Sequence, residues 1–110
     1  MAAARTPQWS RARRVLVSRA REYLDAVEQE STGETSLERD LAAAYQRVGD
    51  IQAGPQLKDL SGALASYRKA MAVLEHLSAE HSDASDVQGA LEAVRARARE
   101  TEQKLRAGRR

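Results

Sequence analysis

Two stretches decide how this chain folds: SLERDLAAAYQRVGD at residues 36–50 and LSGALASYRKAMAVLEHL at residues 60–77. In the first, Leu37, Leu41, Ala44, Tyr45 and Val48 fall at helical spacing and share one face. In the second, Leu60, Ala63, Leu64, Tyr67, Ala70, Met71, Leu74 and Leu77 do the same over five turns. Thr35 and Glu38 stand at the spacing of a capping box, in which each side chain satisfies a backbone N–H of the other. Gly49-Asp50 reads as the end of the first helix. Gly54-Pro55 cannot lie in a helix interior, because Pro has no N–H and its ring collides with the preceding turn. The reading is a helix pair over 36–77 with a long connector at 50–60. Asp59 or Ser61 caps the second helix.

A further helix is predicted on each side. Thr6-Pro7 places an N-cap residue before a proline at the first helical position. Ala12, Leu16, Ala20, Tyr23 and Val27 then form one stripe, and Ser31-Thr32-Gly33 stops it. Ser85 and Gln88 repeat the capping-box spacing, and Val87, Leu91, Val94, Ala98, Thr101 and Leu105 follow at steps of four and three. The flanking helices are expected over 6–31 and 85–107. Nothing alternates in the manner of a strand. Short connections predict antiparallel neighbours, so the fold class is all-α with four antiparallel helices in a single domain over 1–110.

Composition agrees. The chain has 110 residues, no Cys and no Phe, and Ala accounts for 21 of them while Leu, Ile and Val together supply 19. With so few large apolar side chains, helices must approach closely over alanine. Large multidomain enzymes, disulfide-stapled scaffolds and membrane-spanning chains are excluded; no apolar run approaches the roughly 20 residues a bilayer requires. Residues 1–10 show no apolar core of a signal peptide, so a cytoplasmic location is expected. The net charge of +2 is unevenly spread. Residues 1–21 carry six Arg and no acid, residues 22–50 carry eight acids against two Arg, and residues 95–110 carry seven bases against two acids. Basic ends flank an acidic middle. Solvated charge, or ends folded back on the middle, accounts for this more simply than nucleic-acid binding, because no groove-fitting motif accompanies the arginines.

The central pair also carries a family resemblance. Leu41-x-x-x-Tyr45-x-x-x-Gly49-Asp50 resembles the first helix and turn of a tetratricopeptide repeat, and Ala63-x-x-x-Tyr67-x-x-Ala70 resembles its second helix. The resemblance implies an α-α hairpin, a superhelical fragment in which small Ala63 and Ala70 admit a close approach that Leu41, Tyr45 and Tyr67 fill. Gly49 would permit the turn. Glu75 stands where the family commonly has a proline, so the second helix should run on. The outer helices become a partial preceding repeat and a solvating cap. The runs at 20–25, 41–50 and 62–70 also look like the repeat region that follows the catalytic domain of some bacterial serine/threonine protein kinases. The kinase parts themselves are missing: there is no glycine-rich loop, His-Arg-Asp loop or Asp-Phe-Gly.

What the resemblance implies is a non-catalytic protein–protein interaction or assembly module with a protein or peptide partner, or a second copy of itself. The positions that would touch a peptide are Ser36, Arg39, Ala43, Gln46 and Arg47, with the two arginines suited to a carboxylate. Ala43 replaces the Asn required by chaperone-tail binders of the family. No enzyme activity, cofactor or metal is expected. No nucleophile stands at a recognisable spacing from a base. His76 and Glu80 share one helix face with His81 adjacent, but two residues on one helix fall short of the three or four ligands of a metal site. His76 is expected to favour its helix C-terminus through the dipole. Trp9 is expected to staple the N-terminal turn to the last helix.

Overall fold

The computed structural model describes residues 7–30, 35–80 and 85–108. These form α1 (Pro7–Glu30), α2 (Thr35–Ala53), α3 (Leu60–Glu80) and α4 (Ser85–Ala107), with no strand among the described residues. Paired side chains give the helix directions. Glu38 meets His76, Asp50 meets Tyr67 and Gln52 meets Ser66, so α2 and α3 run antiparallel. Ser78, Glu75 and Arg68 meet Gln88, Arg95 and Glu102 in turn, so α3 and α4 also run antiparallel. Arg21 meets Ser66 and Asp25 meets Lys69, which lays α1 parallel to α3 and hence antiparallel to α2.

The core lies along α3. Ala63, Ala70 and Leu77 are fully buried there, against Leu41, Ala42 and Tyr45 of α2 on one side and Val87, Leu91, Val94 and Ala98 of α4 on the other. Alanine leaves no side-chain bulk between backbones, which lets three helices share a core built from few large residues. The α2–α3 interface is the largest, followed by α3–α4. In the stripe of α4, Val87, Leu91, Val94, Ala98 and Thr101 are buried and Leu105 is half-buried against the core. α3 runs on through Glu75 to Glu80.

Three expectations are corrected. First, α2 does not end at Gly49-Asp50; it continues to Ala53. Gly49 is buried inside the helix, and its missing side chain makes room for an aromatic ring rather than a turn. A Cβ there would stand 2.6 Å from Cε1 and 2.8 Å from Cδ1 of Tyr67. The helix stops ahead of Pro55, and the connector shrinks to residues 54–59. It is tied back by Lys58 N–H to Gly54 O at 2.9 Å and Asp59 N–H to Gln52 O at 2.7 Å, with Lys58 in the left-handed region at φ 50°. Leu57 plugs it into the interior. Asp59 is the N-cap of α3, its Oδ1 accepting from the Gly62 N–H at 3.0 Å.

Second, α1 docks only Ala20 and Val27 of its apolar stripe. Leu16 and Tyr23 are each 69% exposed, and Ala12 is exposed as well. The docked edge is Val17, Ala20, Arg21, Leu24, Asp25, Val27 and Glu28, a mixed polar and apolar set. Third, Leu37 sits at the margin of the α2 stripe, partly open to solvent. The radius of gyration of 15.4 Å exceeds the about 13 Å expected of a compact chain of this length. Residues 11–16 of α1 are all exposed.

The stop at Ser31-Thr32-Gly33, the cap Thr6 and His81 lie outside the described residues. The same holds for the side chains of Trp9 and Thr35.

Candidate functional site

A groove of about 140 Å³ runs between α2 and α4. Its floor is made by Ala42 and Ala43 of α2, Leu74 of α3 and Val87 and Ala90 of α4. The apolar side chains lie there because α2 and α4 both pack on α3, leaving a furrow above it. Arg39, Gln46 and Asp86 supply its polar rim, with Arg39 Nη1 3.0 Å from Asp86 Oδ2. Asp86 occupies the first turn of α4, where a carboxylate also suits the helix dipole. Three of the five positions marked from the sequence, Arg39, Ala43 and Gln46, come together here. Ser36 and Arg47 are exposed elsewhere on α2.

Two tyrosines join the helices at their polar seams. Tyr45 is fully buried; its hydroxyl donates to Asp25 and, at 3.2 Å, to Glu28 of α1. Lys69 of α3 lies 3.7 Å from Asp25 and 3.5 Å from Glu28. The Arg21 guanidinium sits 5.8 Å from the centre of the Tyr45 ring and donates from Nη1 to Ser66 Oγ at 2.9 Å. Ser66, itself fully buried, donates onward to Gln52 Oε1 at 2.5 Å. At the other seam Tyr67 donates to Asp50 Oδ1 at 2.5 Å, and Arg97 of α4 donates to the same oxygen at 2.9 Å. Desolvation raises both phenol pKa values above the ordinary range, and hydrogen bonds to carboxylates raise them further. Each phenol is therefore held as a neutral donor. α1 is docked by this polar set together with Leu24 and Val27, which pack against the core, while Leu16 and Tyr23 face water.

A further cavity of about 330 Å³ opens beside the second seam, where Arg97 and Lys104 face Asp50 and Glu100. Its charges offset one another.

A third grouping lies at the end of the hairpin opposite the connector. His76 Nε2 is 3.5 Å from Glu80 Oε1 and 3.9 Å from Glu38 Oε2. The ligand-capable atoms of all three side chains lie within 4.8 Å of one another. Glu38 stands in the first turn of α2, and antiparallel packing brings it to the last turn of α3. It is 8% exposed, and its Oε1 is buried without a hydrogen-bond partner. The sequence marks Glu38 only as a capping residue; its position against His76 is a tertiary result. Gln88 likewise turns its amide to Ser78 of α3. Asp25, Glu28, Lys69 and Ser66 were not singled out from sequence, although Arg21, Asp25 and Glu28 recur at helical spacing on one edge.

Comparison of the chain with protein-family models, curated proteins and solved structures finds no match.

Proposed function

We propose that this chain is a non-catalytic protein–protein interaction module of tetratricopeptide type, whose α2–α4 groove receives a short acidic segment of a partner protein. The observation that carries the reading is the groove itself: a floor of Ala42, Ala43 and Ala90 over Leu74 and Val87, with Arg39 and Gln46 at its edge. Alanine in the floor permits a peptide backbone to lie close, and the guanidinium offers a bidentate partner for a carboxylate that displaces Asp86. Arg47, exposed on the same helix, extends the basic character. Resemblance to kinase-associated repeat regions would make the module a regulatory segment working beside a bacterial catalytic domain.

The test is a random peptide library displayed on phage and panned against the full chain. Recovered peptides are then titrated calorimetrically into the wild type, into Ala43→Arg and into Arg39→Glu/Arg47→Glu. Acidic peptides that lose tenfold or more in affinity on both variants support the reading. Failure to enrich any sequence, or equal affinity for the variants, overturns it.

A further inference from the structure

The grouping of Glu38, His76 and Glu80 is spaced more widely than hydrogen-bonded ion pairs are. A charge-assisted hydrogen bond from an imidazole to a carboxylate closes to about 2.7–2.9 Å. Here His76 Nε2 stays 3.5 Å from one carboxylate and 3.9 Å from the other, and neither pair forms a hydrogen bond among the described residues. The three side chains converge on a common point without touching. For a zinc ion with bonds of about 2.0–2.1 Å, neighbouring ligand atoms of a tetrahedron are about 3.3 Å apart. The two His76 spacings reach that value with sub-ångström movement of side chains on helix ends, and the Glu38 and Glu80 oxygens lie within 4.8 Å of each other. Two of the ligands, His76 and Glu80, are four residues apart on α3, the spacing that aligns side chains on one helical face.

The second observation is Glu38. A carboxylate buried to this degree is costly unless its charge is compensated and its oxygens are bonded. Oε1 of Glu38 has no hydrogen-bond partner, and the only basic side chain within 4.0 Å of this carboxylate among the described residues is the His76 imidazole. The neighbouring Arg39 is engaged with Asp86 instead. His76 and Glu80 are about half exposed, so an ion has a path from solvent and a free coordination position for water.

We propose that Glu38, His76 and Glu80 form a binding site for a divalent transition-metal ion of the zinc type, which clips the first turn of α2 to the last turn of α3. One imidazole and two carboxylates suit zinc; calcium and magnesium require oxygen ligands throughout. The ion brings positive charge to the buried carboxylate on the side where Oε2 faces His76, and closes the hairpin at the end away from the 54–59 connector. The site is independent of the α2–α4 groove.

The experiment is calorimetric titration of zinc chloride into the full chain, with thermal unfolding followed by circular dichroism. One equivalent is expected to bind, and zinc at a hundredfold excess over its Kd should raise the unfolding midpoint by about 10 °C. Cobalt(II) should give the visible absorption of a low-coordinate ion, while magnesium and calcium leave the midpoint unchanged. Because His76 and Glu80 are solvent-accessible, His76→Ala and Glu80→Gln fold and should each lose the bound equivalent; Glu38→Gln should do so too. Absence of zinc binding, retention of it by His76→Ala, or equal stabilisation by calcium overturns the proposal.

Discussion

Gly49→Ala is expected to destabilise this protein, against the usual direction for such a change. In a helix interior, replacing Gly by Ala gains about 0.8–1 kcal/mol, because alanine loses less backbone entropy on folding. At Gly49 the added methyl would stand 2.6 Å from Tyr67 Cε1 and 2.8 Å from Cδ1. The ring cannot swing away freely: Tyr67 is 3% exposed and its hydroxyl is tied to Asp50 at 2.5 Å. Overpacking of this kind costs about 1–3 kcal/mol. Against the helical gain, the net loss is about 1 kcal/mol, with about 2 as the upper end. Gly89 of α4 is the control, since a Cβ there meets nothing within 4 Å. Gly89→Ala should therefore realise the whole helical gain. Thermal unfolding followed by circular dichroism should show a midpoint about 4–8 °C lower for Gly49→Ala and a few degrees higher for Gly89→Ala. In a Tyr67→Leu background, which removes the offending ring atoms, Gly49→Ala should become stabilising; the double-mutant cycle isolates that term. Equal stabilisation by the two alanines in the otherwise native chain would refute the account of Gly49 as a seat for the ring.

Tyr45→Phe removes the donor that joins α2 to Asp25 and Glu28 of α1. It should cost about 1–3 kcal/mol, and amide exchange should accelerate in α1 before α3. The alkaline limb follows from the raised pKa values of Tyr45 and Tyr67. A phenol harder to ionise when folded contributes stability that is fully present below the unfolded value of about 10 and is lost as pH rises above it. Spectrophotometric titration should show these two phenols ionising together with loss of helical dichroism; ionisation with the helices intact would contradict their buried, carboxylate-bonded placement.

The pattern of residues that was legible in the sequence is the pattern set by neighbours in the chain. Leu41, Tyr45 and Val48, or Val87, Leu91 and Val94, announce a helix and its buried face because every third or fourth side chain meets the same neighbour. Asp59 announces a helix start because its carboxylate reaches an N–H three residues on. The groove was partly legible for the same reason: Arg39, Ala43 and Gln46 share a helical face, while its opposite wall of Asp86, Val87 and Ala90 arrives from α4. Gly49 was misread because a glycine that ends a helix and a glycine that admits a ring look alike until the ring is placed.

The sequence by itself determined four helices and their approximate limits, since periodicity and capping act within a few residues. The tertiary structure alone decided the rotation of α1, which turns Arg21, Asp25 and Glu28 to α2 and α3 and leaves Leu16 and Tyr23 exposed. It alone brought Glu38 to His76 across 38 positions of chain. Contacts between residues distant in sequence depend on how whole helices pack, and no local periodicity encodes that choice.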